Sequence, residues 1–196
     1  VTDNQSLMES LLSQARMVET AQLISGAKPV MVSPITFKPR FNPSSGVTPV
    51  PEPGKLPLPV DPRQLSLFGA CWTLGSLKYL AEGGVNWATY FETTGWRGVM
   101  ETLAGSMQPE RFFSIPECVY PLYHILADFG EFTNGCLFKV HSDQPQRVIG
   151  LGIRKADELR ILLGNLTPST LIIDITNLVM PARVRYLDEN SAERAI

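Results

Sequence analysis

The order of helical and extended patterns constrains the fold of this chain more than any other feature. Apolar residues recur at helical spacing over 6–25, and an apolar, β-branched run follows at Pro29–Phe37. The pair repeats as a largely apolar helix that opens at Asp61 and a strand at Asn86–Phe91, and a third helix begins at Pro121. Alternating elements are typical of α/β folds, and near-continuous apolar strands are typical of parallel sheets. We therefore predict an α/β fold with parallel strands.

Local signals set the expected ends of these elements. Ser6 and Glu9 have the spacing of a capping box, which predicts that the first helix begins at Ser6. Asp61 followed by Pro62 predicts an N-cap and first turn for the second helix. Pro34 predicts that the first strand is short, because proline donates no ladder hydrogen bond.

A proline-rich segment separates the first strand from the second helix. Eight of the 24 residues from Pro39 to Pro62 are proline, which excludes a regular helix or sheet there. The segment could be an inter-domain linker. We favour a functional loop within one domain, because the next segment continues the same α/β pattern and long loops in compact domains usually carry function.

The hydrophobic period changes from about 3.6 to 2 after Phe132, which indicates a second, antiparallel β domain. Short strands are predicted at 136–141, 147–154, 158–164, 170–175 and 182–187. This spacing predicts a small β-sandwich. The expected domains are therefore 1–131 and 132–196.

Composition excludes several classes of function. Seventeen basic residues against 19 acidic ones give a net charge of -2, so we expect no nucleic-acid partner. The longest run without Asp, Glu, Lys or Arg has 14 residues, whereas a membrane span needs about 20. With no signal peptide at its start, we expect a cytoplasmic protein.

The potential metal ligands are few and scattered. Cys71, Cys118 and Cys136 are an odd number without CxxC spacing, so we expect buried thiols in a reducing compartment. His124 and His141 have no partner at ligand spacing. We therefore predict no metal site and no cofactor within this chain, and metal ligands could lie upstream of it.

The start of the sequence suggests an origin within a longer protein. The chain begins at Val1 without methionine, and Asp3 and Asn4 already lie just before a helix. We expect this chain to be the C-terminal portion of a larger protein, and to be inactive alone.

The candidate site lies where the two predicted strands end, because reacting groups of α/β barrels sit on the loops after the strands. Its predicted residues are Lys38 and Arg40 after the first strand, Glu92, Trp96 and Arg97 after the second, and Asp3 and Asn4 before the first helix. A carboxylate, several cations and an aromatic ring suit a small polyhydroxylated acid or lactone.

Each candidate has a chemical role and a structural alternative. Glu92 can act as a general base toward water, and Lys38, Arg40 and Arg97 can stabilise an oxyanion and bind hydroxyls. Trp96 can stack on a sugar face. Alternatively, Glu92 forms a structural ion pair with Arg97, Trp96 packs in the core, and Lys38 and Arg40 are solvated loop charges.

Several stretches together resemble the C-terminal part of the D-apionate lactonase family. They are SPITFKPRFN (33–42), DPRQLSLFGA (61–70), WTLGSLKYLAE (72–82), YFETTGWRGVME (90–101) and PLYHILADFGEF (121–132). The resemblance implies a glycoside-hydrolase-like (β/α)8 barrel followed by a β-sandwich. Pro29–Phe37 would be its seventh strand and Asn86–Phe91 its eighth.

The resemblance implies hydrolysis of D-apionolactone to D-apionate, with a sugar lactone or sugar acid as the small-molecule partner. Retaining glycosidases of this barrel type carry a nucleophilic Glu near the end of strand seven, but residues 33–40 contain no carboxylate. This departure favours ester-type over glycosidic hydrolysis. A glycoside hydrolase and a non-catalytic carbohydrate-binding protein remain the alternatives.

Overall fold

The computed structural model describes residues 3–26, 28–39, 44, 52–178 and 181–192. Its helices are α1 (Asn4–Ser25), α2 (Leu67–Glu82) and α3 (Pro121–Gly130), and a short 3₁₀ helix, Pro62–Leu65, precedes α2. Its strands are β1 (Met31–Ile35), β2 (Trp87–Tyr90), β3 (Glu92–Thr94), β4 (Gly98–Met100), β5 (Cys136–Lys139), β6 (Val148–Lys155) and β7 (Glu158–Asn165). A helix precedes each of the strands β1 and β2, and α3 follows β4, which confirms the predicted α/β class.

A parallel pair of strands joined by a helix forms the centre of the α/β part. β1 and β2 pair in parallel, with Met31 opposite Trp87 and Ile35 opposite Tyr90. The register shifts between Val32 and Ile35, where proline interrupts the strand and offers no N–H to the ladder. α2 supplies the crossover that a parallel pair requires. The predicted parallel strands are therefore present and short.

α2 lies at the centre of the packing, because its surface is apolar nearly all round. It packs against α1, α3 and strands β6 and β7. A methyl group added at Gly75 would lie 2.6 Å from Leu11 Cδ1 on α1 and 2.9 Å from Ile149 Cδ1 on β6. Glycine at this position therefore allows α1 and the sheet to approach α2 closely.

A chain of polar contacts fixes β2 relative to the helices. The Ser76 hydroxyl on α2 donates to Gln14 Oε1 on α1 at 2.6 Å and lies 2.9 Å from the Tyr90 hydroxyl on β2. Burial raises the pKa of Tyr90 above its ordinary range, so this group stays protonated and hydrogen-bonded. The end of β2 that leads to the candidate site is therefore held firmly.

The last third of the described chain contains one three-stranded antiparallel sheet, ordered β5-β6-β7. The strands predicted at 136–141, 147–154 and 158–164 are confirmed, with shifted ends. Those predicted at 170–175 and 182–187 are wrong, because both segments lack regular secondary structure. Ile172 is 97% exposed. Alternating apolar residues form a strand only where a neighbouring strand can pair with them.

The sheet packs on α2 and shares its hydrophobic core. Ile149 and Leu151 of β6 belong to the same cluster of buried side chains as Leu11 and Leu74. One hydrophobic core therefore includes side chains from both sides of residue 132. The division into domains 1–131 and 132–196 stays a prediction.

Two of the predicted helix starts are wrong in detail. Asp3, not Ser6, caps α1, because its side chain accepts a hydrogen bond from the Ser6 backbone N–H. Asp61 caps the 3₁₀ helix, and α2 has its own N-cap at Ser66, whose hydroxyl accepts from the Gly69 N–H at 2.9 Å. In both places two short polar residues compete for the cap, and the pattern alone does not rank them.

The cysteine prediction holds only in part. All three thiols are free, and Cys71 and Cys118 are half-buried, but Cys136 is exposed. None of the helices in the described part of the chain is long and apolar enough to cross a membrane.

Candidate active site

The carboxyl ends of β1 and β2 meet at one edge of the sheet because the two strands are parallel. The Phe91 N–H continues the ladder by donating to the Ile35 carbonyl at 3.1 Å. Just beyond, the rings of Phe37 and Phe91 stack with centroids 5.4 Å apart. Lys38 and Glu92 each follow one of these phenylalanines directly. Both loops of the predicted site therefore begin at neighbouring points.

Phe91 turns the chain sharply just before Glu92. Its φ of 53° lies in the left-handed region, which a bulky side chain occupies at a cost of about 1 kcal/mol or more. The ring is buried against Phe37, so packing holds this conformation in place. Residues in such conformations cluster at active sites. Here the strained residue precedes the predicted general base.

Glu92 and Arg97 form an ion pair at the start of the following loop. Arg97 Nη2 lies 2.7 Å from Glu92 Oε1, and the Glu92 N–H donates to the Arg97 carbonyl at 2.9 Å. The two side chains are 35% and 34% exposed, respectively. The ion-pair alternative is thus confirmed as a contact. A pair this exposed contributes about 0–1 kcal/mol to folding.

Trp96, directly before Arg97 in the chain, contacts the core. Its indole Nε1 donates to Ser106 Oγ at 3.0 Å, and its ring centroid is 6.1 Å from that of Phe112. The side chain is half-buried and packs against the hydrophobic cluster. Part of the Trp96 side chain therefore packs in the core, as the structural alternative predicted. The rest of its surface is accessible to solvent.

A second group of polar residues surrounds Asp61. Arg63 donates to both carboxylate oxygens of Asp61, through Nε at 2.9 Å and Nη2 at 2.6 Å. The remaining guanidinium nitrogen, Nη1, lies 3.3 Å from Asn4 Oδ1. Lys38 Nζ donates to the Val60 carbonyl at 2.8 Å. Asn4 and Lys38 are therefore brought together through an Asp–Arg pair.

Both aspartates of this region stay ionised. Burial disfavours the charged form of Asp61, but hydrogen bonds and charge from Arg63, with a smaller effect of Lys38, outweigh it and lower its pKa. Hydrogen bonds from the Ser6 N–H and hydroxyl lower the pKa of the exposed Asp3. Asp3 thus has a capping role at the start of α1, and both its oxygens accept from Ser6.

Gln64 connects the two polar groups. It is buried, and its Nε2 donates to the Gly98 carbonyl at 2.6 Å, directly after Arg97 in the chain. The 3₁₀ helix that carries Asp61 and Arg63 is thereby tied to the loop that carries Glu92. The sequence pattern identified Asp61 to Gln64 only as a helix start and missed these contacts. Arg40, the other predicted cation, lies outside the described residues.

A buried carboxylate supports the same loop from behind. Glu101 is 1% exposed and accepts hydrogen bonds from the Thr102 N–H at 2.7 Å, the Tyr120 hydroxyl at 3.1 Å and the Ser114 hydroxyl. Burial, together with the Glu101 charge, raises the pKa of Tyr120 above its ordinary range and keeps it a donor. The Tyr120 hydroxyl also lies 3.3 Å from the Gly95 carbonyl. No sequence signal distinguished Glu101 from a surface residue.

Glu92 and Arg97 provide a carboxylate and a guanidinium in contact, and Lys38, on the neighbouring loop, donates to the Val60 carbonyl. No group of three or more His, Cys, Asp and Glu in the described residues is placed to hold a metal ion. A carboxylate beside a guanidinium is a pair of groups that general-base catalysis with a neighbouring cation can use.

This edge-of-sheet site on a β-α-β unit is typical of α/β barrel enzymes. Residues 1–134 match the family model described as D-apionate lactonase, TIM barrel domain. The match covers more than half of the chain, so the chain belongs to the D-apionate lactonase family. None of the curated proteins and none of the solved structures compared with the chain matches it.

Proposed function

We propose that the protein hydrolyses the lactone of a sugar acid, converting D-apionolactone to D-apionate. The observation that carries this proposal is the Glu92–Arg97 pair, placed by a strained phenylalanine at the carboxyl edge of the parallel strands. Membership of the D-apionate lactonase family supplies the substrate class.

The proposed reaction begins with a water molecule beside Glu92. The Glu92 carboxylate takes a proton from this water, and the water oxygen forms a bond to the lactone carbonyl carbon. The carbonyl oxygen becomes an oxyanion, which Arg97 and Lys38 stabilise by their positive charge. As the carbonyl re-forms, the ring C–O bond breaks, and the leaving alkoxide takes the proton from Glu92. The product is the open acid, ionised at neutral pH.

The other predicted residues receive supporting roles in this proposal. Trp96 presents its accessible edge to the sugar, and Asn4, with Arg40, binds hydroxyl groups. Asp3 acts through the start of α1, which it caps.

We also infer the architecture around this site. β1 and β2 correspond to strands seven and eight of a (β/α)8 barrel, and β5, β6 and β7 to one sheet of a following β-sandwich. The finding that supports the barrel is the parallel pairing of β1 with β2 across the helical crossover α2. In such barrels, substrates bind at the edge where Glu92 lies.

Lactone and glycoside substrates separate the proposed reaction from its alternatives. Proton release would be followed for the full-length protein with D-apionolactone, other pentonolactones and aryl glycosides of pentoses. The proposal predicts rapid opening of D-apionolactone and no release of phenol from the glycosides. Glycoside cleavage without lactone opening, or sugar binding without turnover of any substrate, would contradict it.

A further inference from the structure

A cleft of about 510 Å³ opens beside the candidate active site. Its charged lining consists of Lys38, Lys55, Arg111 and Glu110, and the ring of Phe113 and two aliphatic side chains complete it. Three cations therefore face one carboxylate in a space large enough for a small organic acid.

The cleft wall formed by the proline-rich loop is a built feature. The Lys55 N–H donates to the Glu52 carbonyl at 3.0 Å, which closes a turn around Pro53 and Gly54. Gly54 has a φ of 74°, the left-handed conformation that a type II turn requires after proline. A methyl group at Gly54 would lie 3.2 Å from Arg111 Nη2. The guanidinium therefore lies against the glycine, at a defined point of the wall.

Among the residues that the structure describes, the ion pairs of Lys55 and Arg111 are either exposed or long. Lys55 pairs with Glu52 at 2.5 Å, but both side chains are largely exposed. Arg111 Nε lies 3.8 Å from Glu110 Oε1, beyond hydrogen-bond distance. Exposed pairs of this kind contribute about 0–1 kcal/mol, so a ligand anion can replace their partners at little cost. Asp61, with Arg63 bound to it, is the other charged neighbour of Lys38.

The position of the cleft relates it to the proposed reaction. Lys38 lines the cleft and also follows Phe37, whose ring stacks on Phe91 next to Glu92. The cleft therefore shares Lys38 with the candidate active site. Phe113 is 78% exposed and offers a ring face against which the C–H groups of a sugar can pack.

We propose that this cleft binds the carboxylate of an open-chain sugar acid, with Arg111 and Lys55 as its principal contacts. A guanidinium matches the two oxygens of a carboxylate, and such charge-assisted hydrogen bonds are stronger than neutral ones. The proposal rests on the proposed function for the identity of the acid. It adds that the protein binds the charged acid more tightly than a neutral sugar of the same shape.

Binding of D-apionate and of its neutral alditol separates charge recognition from sugar recognition. Affinities for both compounds would be measured by calorimetry on the full-length protein. The variants would be Arg111→Gln, Lys55→Gln and the matched control Arg147→Gln, which removes an exposed guanidinium bonded to Gln144 on the β5–β6 connection. Folding would be checked by thermal unfolding, and Lys55→Gln serves if Arg111→Gln fails to fold.

The wild type should bind D-apionate about tenfold or more tightly than the alditol, and each cleft variant should reduce this ratio several-fold. Arg147→Gln should leave the ratio unchanged. Equal affinities for the two compounds, or the same loss in the control, would overturn the proposal. Tight acid binding by a protein that opens no lactone would support the cleft and reject the proposed function.

Discussion

Replacement of Glu101 by alanine should destabilise the protein more than any change at the exposed acidic residues. The side chain is fully buried, and its two oxygens accept from the Thr102 N–H, the Ser114 hydroxyl and the Tyr120 hydroxyl. Truncation removes the acceptor for all three donors at once. The packed environment leaves these donors few alternatives.

The expected loss follows from the number of donors left without Glu101. A buried group without its partner costs about 1–3 kcal/mol, and three such groups set an upper range of about 3–9 kcal/mol. The Tyr120 hydroxyl keeps a second contact with the Gly95 carbonyl, and water can enter the space that alanine leaves. We therefore expect Glu101→Ala to lower the free energy of unfolding by about 3–5 kcal/mol.

Glu101→Gln tests the same reasoning with the shape preserved. The amide keeps one acceptor oxygen but presents an NH₂ donor to a hydroxyl that was donating. One neighbour must rotate or lose its bond, so the expected loss is about 1–2 kcal/mol. This variant also provides a measurement if Glu101→Ala does not fold.

Urea unfolding of the full-length protein measures these losses, with Glu19→Ala as the control at an exposed position of α1. The control should change stability by less than about 0.5 kcal/mol. A loss in Glu101→Ala no larger than that of the control would show that the three donors do not depend on Glu101.

Gly75→Ala should lower the free energy of unfolding by about 1–2 kcal/mol, because the clash with Leu11 and Ile149 outweighs the gain in helix propensity. The control Gly130→Ala should not destabilise the protein, because an added methyl group there meets nothing within 4 Å. Equal unfolding midpoints for the two variants would contradict this. Burial raises the pKa of the Cys71 thiol to about 11, while Cys136 is exposed. Iodoacetamide at pH 8 should therefore label Cys136 about tenfold or more faster than Cys71 by peptide mass spectrometry, and equal rates would contradict the burial of Cys71.

Much of the α/β part could be predicted because its local patterns and its packing agree. The apolar helix after Asp61 and the β-branched run at Pro29–Phe37 each favour one structure, and both occur at the expected places. The parallel pairing of β1 with β2 follows from the helix that connects the two strands. The same pattern predicts that Lys38 and Glu92 lie at one edge of the sheet. In the structure, the loops that carry them begin at this edge.

Contacts between distant parts of the chain could not be predicted. The bond from Gln64 to the Gly98 carbonyl and the burial of Glu101 depend on how two loops fold back, which no local pattern encodes. The predicted strand at 170–175 failed for the related reason that alternation does not supply a pairing partner. Glu92 and Arg97 are only five residues apart, so the sequence could suggest an ion pair between them. The structure confirms this contact.

Opening of D-apionolactone by the Glu92→Gln variant tests whether Glu92 is the general base of the reaction. The full-length wild type, this variant and the matched control Glu158→Gln, at the start of β7, would be compared by proton release at equal folded concentration. We expect kcat/KM to fall by about 100-fold to 10,000-fold in Glu92→Gln and to stay unchanged in Glu158→Gln. A Glu92→Gln protein that is folded and opens the lactone at the wild-type rate would contradict it.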